Sequence, residues 1–422
     1  MRFLYTFAIR AYSLGVRVAS WWGNAKARQW VEGRKRLPEA KPDGERWIWF
    51  HAASLGEFEQ GRPIMEKIKE KFPQYKIVLS FFSPSGYEIR KDYDLADEVC
   101  YLPSDTLRNA HRWLKRHDIV AAFFIKYEFW FNYMKALHDK HIPLFYVSVL
   151  LKPDQYFFKW YGGWFRKQLH YVTHFYAQDK ATAKLLEGLG LKNTTVCGDT
   201  RFDRVAAIAK QTKRFPEVEA FLKGRKCIIA GSSWQPDEKL LAAYLPQLPD
   251  NYCLILAPHD IGAAHLAQIK AWFPDSVLYS ENDFKKDSKV LVINTIGILS
   301  QLYQYARFVY IGGGFGVNIH NIQEPVTFGC PVVFGPKYKN FKEAVDLVIN
   351  EGAFTISCQN DLNGIFDRLI SDERFYFKAS SVCIDYLNSQ VGATKVILQD
   401  MARVLSQNTT PRIDYGKGVR IE

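Results

Sequence analysis

The chain has no CxxC pair, no HExxH, no Cys/His cluster and no DxD-type acidic pair closing a strand-like run. A zinc site and a catalytic metal are therefore not expected, and no cofactor is implied. The seven cysteines, Cys100, Cys197, Cys227, Cys253, Cys330, Cys358 and Cys383, are scattered, several inside apolar runs such as Tyr252–Leu256. That pattern reads as reduced, buried thiols of a cytosolic compartment, not a disulfide framework. No short repeat or low-complexity tract is present, which excludes solenoids. No recognised nucleic-acid module accompanies the basic balance, so nucleic acid is not an expected partner. A GxGxxG dinucleotide fingerprint is also missing, because the sixth position counted from Gly312 is Val317. Nor is there an unbroken apolar segment at the start: Phe3–Trp22 is interrupted by Arg10 and Arg17, and no small-residue cleavage site follows. A cleaved signal peptide does not fit.

What is present begins with size and charge. At 422 residues, 48% of them apolar, the chain suggests two domains with sizeable cores. Its formal charge of +12 (56 basic minus 44 acidic) favours anionic partners. In the first segment the polar residues Thr6, Arg10, Ser13, Arg17 and Ser20 form one stripe on a helix, with apolar residues around the rest. Two arginines inside a bilayer would cost about 2.5–3.5 kcal/mol each, whereas a helix lying in the interface keeps both among headgroups. Eight basic residues against one acidic over Met1–Arg36 suit an anionic leaflet. The expectation is a peripheral, N-terminally anchored location on the cytoplasmic face of the inner membrane. A helix packed on its own domain is the other reading of the same pattern.

From Trp47 onward, short apolar runs alternate with helical patterns, stop over the charged stretch Val205–Lys226, and resume at Cys227. Such alternation predicts parallel sheets covered by helices on both faces. The fold class is α/β, with two Rossmann-like domains facing a cleft. The divisions are 1–36 (membrane-associated helix and basic segment), 37–205, 206–407, and a polar tail, 408–422.

Chemistry concentrates where strands end. Glu57 follows the burst Trp47–Phe50 in the run His51-Ala52-Ala53-Ser54-Leu55-Gly56-Glu57, a strand, small-residue turn and helix. A carboxylate there can act as a general base in a carboxyl-edge crevice; it can equally be a helix N-terminal charge. Glu128, after the apolar strand Ala121–Ile125, faces the same edge, as a second site acid or as a buried structural partner of Lys126 or an arginine. Ser83 and Ser85 end another strand and shape the wall. In the second half, Phe308–Ile311 enters Gly312-Gly313-Gly314-Phe315, followed by His320-Asn321 and Glu324. Glycine turns and helix N-termini bind phosphate, and Glu324 suits ribose hydroxyls. Ser232 and Ser233 offer amides and hydroxyls to an anion, and Pro258-His259 closes a further strand. His259 suits a phosphate or a base, or a structural role.

Taken in order, His51–Glu57, Glu128-Phe129-Trp130, Gly198–Asp203, Gly312–Pro325 and Gly335-Pro336 with Asn340-Phe341-Lys342 resemble the 3-deoxy-D-manno-octulosonic acid (Kdo) transferases of lipopolysaccharide assembly. The resemblance implies a membrane-associated glycosyltransferase of the GT-B type. It implies CMP-Kdo bound by the C-terminal half, at the residues just named and at Gly297. It places a lipid A precursor on the N-terminal half, near Ser54, Gly56, Ser83, Ser85 and Lys126. Glu57 would be the general base of a single inverting displacement, and Glu128 the second acidic site residue. The family commonly has arginine where this chain has His259. Rival readings are another nucleotide-sugar transferase acting on a lipid, or a non-catalytic lipid-binding protein.

Overall fold

The computed structural model describes residues 1–35, 44–211, 213–281 and 288–407. The expected tail 408–422 and the junction at 36–37 lie outside the described residues. The chain divides into two compact units: Met1–Asp203 with the chain from Val391 onward, and Arg204–Gln390.

The first unit is built on strands β1 (Arg46–Ala52), β2 (Lys76–Phe81), β3 (Glu98–Tyr101), β4 (Asp118–Ile125), β5 (Leu144–Val149), β6 (His174–Ala177) and β7 (Thr194–Val196). They form one sheet in the order β3-β2-β1-β4-β5-β6-β7, with parallel pairing throughout. Successive residues of β1 face opposite cores. Trp47 and Trp49 join one cluster, Ile48 and Phe50 the other. Both faces are covered, so the strands read as near-continuous apolar runs.

The second unit repeats the plan with β8 (Lys226–Ser233), β9 (Tyr252–Pro258), β10 (Val277–Leu278), β11 (Val290–Val292), β12 (Ala306–Ile311), β13 (Val332–Phe334) and β14 (Ala353–Thr355), ordered β10-β11-β9-β8-β12-β13-β14. In the first sheet the strand order reverses once, between β1 and β4; the second reverses likewise between β8 and β12 and differs at its edge, where β10 lies outside β11. Doubly wound sheets bind ligands beyond the carboxyl ends of the strands at that reversal.

Three differences from the sequence expectation have simple causes. Strand β10 was not anticipated, because its two residues carry no readable period. The charged stretch from Val205 is not a bare interruption: helices Arg201–Lys210 and Pro216–Leu222 run through it, the second burying Val218, Phe221 and Leu222. Residues 391–407, grouped by sequence with the second domain, lie in the first unit. There Ile397, Leu398, Met401 and Leu405 of the helix Ala393–Gln407 fill a core against the first sheet. The Asp203 carboxylate accepts from the Gly392 and Thr394 amides at 2.5 and 2.6 Å and fixes where that helix begins. All seven cysteines are free thiols, Cys358 exposed and Cys197 part-buried, the others buried.

The N-terminal helix Arg2–Trp21 is inverted relative to an ordinary surface helix. Its polar side chains bind the domain: Tyr5 donates to Asp105 at 2.6 Å, Thr6 accepts from Asn132 at 3.3 Å, and Ser13 meets Ser104 at 2.9 Å. Its apolar side chains face outward, with Phe3 80% and Trp21 79% exposed, and Leu4, Phe7 and Leu14 exposed as well. Among the described residues no helix is long and apolar enough to cross a membrane.

Candidate functional site

Glu57 lies in the first turn of the helix Leu55–Lys71, entered directly from β1 through Ala53 and Ser54. The order Ser54-x-x-Glu57 is that of a capping box. Yet the Ser54 hydroxyl caps no backbone amide and instead donates to the Glu57 carboxylate. Glu57 is therefore a buried carboxylate at a strand's carboxyl end, 8% exposed, not an N-terminal charge spread in solvent. Gly56 beside it is open, with Ser54 Oγ the nearest atom to an added Cβ at 3.9 Å.

Glu128 stands on the loop after β4, across the reversal from β1. The Trp130 indole N–H is shared between Glu128 Oε2 at 3.1 Å and His51 Nε2 at 2.8 Å. Because an indole only donates, His51 must accept at Nε2 and donate from Nδ1, which faces the Ser80 carbonyl at 3.1 Å. His51 is thus an orienting residue at the end of β1, 3.8 Å from Glu128. Tyr146 donates to the Glu128 carbonyl at 3.0 Å and steadies the same loop. No Lys126–Glu128 ion pair is found among the described residues. Lys126 takes a left-handed backbone (φ 66°), with its ammonium 5.1 Å from the Tyr127 ring centre. Ser83 caps the helix Pro84–Arg90 through the Ser85 amide, and the two hydroxyls meet at 3.0 Å.

The run Gly198–Asp203 supports this edge from below. Asp199 accepts from Gln60 of the Glu57 helix at 2.9 Å and pairs with Arg201 at 2.7 Å. Burial raises the Asp199 carboxyl, but the Arg201 charge and these hydrogen bonds outweigh it and hold the group below its ordinary range.

In the second unit the candidate residues also gather at one sheet edge. Ser232 and Ser233 close β8 through a bulge, with Ser232 at φ 51°. The Ser233 hydroxyl donates to the buried Glu238 at 2.9 Å, which also holds His265 at 3.0 Å. Pro258 pairs with Ser233 at the end of β9. His259 stacks on both Trp234 and His320, with ring centres at 4.6 and 4.5 Å, while those two rings lie side by side with centres 6.5 Å apart. The Trp234 indole donates to His320 Nε2 at 3.0 Å, and burial, then the neighbouring His259, lower the His320 pKa. Asn321 reaches Glu324 at 3.2 Å at the head of the short helix Gln323–Thr327. Gly297 adopts φ 96° in the turn after β11.

The glycine run after β12 is chiefly a packing device. A Cβ on Gly312 would lie 2.3 Å from the Ser232 carbonyl, and one on Gly314 2.7 Å from the Gly335 Cα. The Gly313 amide is committed to Asp237 at 3.0 Å. Asp237, which sequence reading missed, also takes the Tyr310 hydroxyl at 2.7 Å and the Trp234 amide at 3.0 Å, tying the β8 and β12 loops together. Burial raises its carboxyl against those three bonds. Its position, three residues into a helix opened by Pro236, was the available signal. A cavity of about 510 Å³ lined by Lys223, Arg225 and Lys289 lies at the opposite, amino edge of this sheet, away from all these residues.

Residues 28–204 match the family model described as 3-deoxy-D-manno-octulosonic-acid transferase (kdotransferase). A 3-deoxy-D-manno-octulosonic acid transferase of Aquifex aeolicus (strain VF5) is 26% identical over 333 residues, covering 77% of this chain and 86% of the relative. That of Bordetella pertussis is 26% identical over 384 residues, covering 83% and 87%. The chain is a relative of the Kdo transferases. By that kinship it is a glycosyltransferase. Among solved structures, a UDP-N-acetylglucosamine 2-epimerase superposes with a TM-score of 0.59 at 13% identity, over 89% of this chain and 99% of its own. The MurG of Acinetobacter baumannii gives 0.52 at 13%, over 85% and 99%. At such identities the likeness is one of fold, the two-sheet GT-B architecture of the Kdo-transferase expectation.

Proposed function

We propose that this glycosyltransferase moves Kdo from CMP-Kdo to a lipid A precursor in lipopolysaccharide biosynthesis, by one inverting displacement without a metal. The observation that carries the proposal is the buried Glu57 carboxylate at the reversal of the first sheet, with Glu128 on the facing loop. Glu57 takes the proton of an acceptor hydroxyl as its oxygen attacks the anomeric carbon of Kdo, and CMP leaves from the opposite face. Glu128, held by the Trp130 indole, orients the acceptor. In the second unit the Trp234–His259–His320 stack offers a flat face to the cytosine ring, and Asn321 with Glu324 suits the ribose. The Gly314 and Phe315 amides and Ser232 meet the departing phosphate. The outward apolar face of the helix Arg2–Trp21, with its basic neighbours, is read as docking on the anionic cytoplasmic face of the inner membrane.

The test is transfer from CMP-Kdo, generated in situ, to a tetraacylated lipid A precursor, read by mass for wild type and Glu57→Gln. A loss of about two or more orders of magnitude in the variant is expected; retained activity removes Glu57 as the base. Thermal protection by CMP but not UDP separates this donor from other nucleotide sugars.

A further inference from the structure

The first unit holds a second polar cavity. It measures about 410 Å³ and lies between the helices Arg2–Trp21 and Ala25–Lys35 and the loop that follows β3. Arg17, Arg34 and Lys35 line it together with the indoles of Trp21 and Trp30 and the amide of Asn109. No acidic side chain lines it among the described residues, and none of the three cations has a carboxylate partner there. Arg34 is the informative one. Its guanidinium lies 3.6 Å from the Trp30 ring centre and donates to the Phe82 and Leu102 carbonyls, both at 2.9 Å. Burial pushes it down to about 9, so it remains a cation at neutral pH. A largely buried, permanently charged group without a counterion is costly, and an anion at the cavity relieves that cost.

Two features identify the class of anion. Arg17 and Lys35 are exposed, as a ligand arriving from outside requires, while Arg34, held by the two carbonyls, forms the floor. The rim carries Trp21, which continues the outward apolar face of Phe3, Leu4, Phe7 and Leu14. Apolar surface beside unneutralised cations fits an amphiphile whose charged group is small and strongly accepting. We propose that this cavity binds a phosphate group carried by a lipid. It opens at the carboxyl side of β3, the same sheet edge that carries Glu57 and Glu128. Naming the phosphorylated acceptor as the lipid rests on the function proposed above; the alternative source of the same chemistry is a bulk anionic phospholipid.

The full-length protein is tested as wild type, as Arg17→Ala/Lys35→Ala, and as the charge-matched Lys26→Ala/Arg28→Ala on the helix that carries Lys35. Binding is measured to detergent micelles carrying a tetraacylated disaccharide bisphosphate, to micelles carrying its dephosphorylated form, and to phosphatidylcholine vesicles doped with phosphatidylglycerol. Each cation near an anionic lipid contributes about fivefold in affinity, so the cavity variant is expected to lose about tenfold or more on the bisphosphate. It should stay within about twofold of wild type on the dephosphorylated lipid, as should the charge-matched variant on both, and Arg17→Lys/Lys35→Arg should bind like wild type. A loss confined to phosphatidylglycerol vesicles keeps the cavity and assigns it to bulk phospholipid. Equal losses in the two charge-matched variants, or an equal loss on the dephosphorylated lipid, overturn the proposal. Kdo transfer is measured on the same preparations. Phosphate-selective binding without transfer leaves this site standing and removes the proposed activity, and transfer without phosphate selectivity does the reverse.

Discussion

Replacing Trp130 by phenylalanine tests how the two acidic loops are joined. The change keeps a ring against Phe82, whose centre lies 4.9 Å from that of Trp130, and removes the single N–H shared by His51 and Glu128. His51 is fully buried, so its Nε2 is left without a donor, a loss of about 1–3 kcal/mol. The Glu128 side chain is 14% exposed and regains water, so its share is smaller, about 1 kcal/mol. A total of about 2–4 kcal/mol in a unit of this size lowers its melting temperature by about 4–16 °C. If the indole positions Glu128 for the acceptor, kcat should fall by about tenfold or more while KM for CMP-Kdo stays within about twofold. Calorimetry and steady-state transfer at temperatures well below melting separate the two effects. A variant that melts lower but turns over like wild type refutes the positioning role and leaves Trp130 as structure alone.

Gly314→Ala should destabilise the second unit by about 1–3 kcal/mol or more, because its Cβ meets Gly335 backbone that has no side chain to move; chemical unfolding with Gly316→Ala as control reads this. Burial, opposed by hydrogen bonds from Tyr5 and two amides, raises Asp105 to about 6 from 3.8. Its contribution to stability is then complete below pH 3.8 and lost as pH rises through about 6. Wild type minus Asp105→Asn should therefore fall by about 3 kcal/mol between acid and neutral pH in urea titrations. The lowered His320 works in the other direction: its contribution is present above the unfolded value near 6.5 and lost as pH falls through its folded value. Wild type minus His320→Gln, measured by unfolding from pH 7.5 to pH 5, should shrink on acidification, since protonated Nε2 cannot accept the Trp234 indole.

Much of this was legible in the residues, for stated reasons. Fully covered parallel strands carry long apolar runs, so β1, β4, β5, β9 and β12 stand out from the sequence. The acids at strand ends are visible because an apolar run stops abruptly before them. The Glu57 run also admits a capping box, and only the direction of the Ser54 hydroxyl decides against it. Long-range partners were not legible. Nothing local to Asp237 says that it will hold Gly313, and nothing local to Trp130 names His51. The glycines after β12 illustrate the same limit. Their number signals close approach, but whether to a ligand or to neighbouring backbone depends on Ser232 and Gly335, which are distant in sequence. In the helix Arg2–Trp21 the polar stripe was visible, but not that it would face the domain while the apolar side faces out.

The helix Ala393–Gln407 gives the two units unequal fates during synthesis. The second unit is one unbroken stretch, Arg204–Gln390, and its chain is complete while the first unit still lacks a piece. The first sheet emerges early, and the helix Leu55–Lys71 covers only part of one apolar face until Ile397, Leu398, Met401 and Leu405 arrive. A nascent chain therefore carries an exposed hydrophobic surface through the translation of nearly two hundred further residues, the interval in which chaperones act and aggregation competes. Fragments ending near residue 205 should inherit that exposure permanently. The unit beginning at Arg204 is the one to express alone.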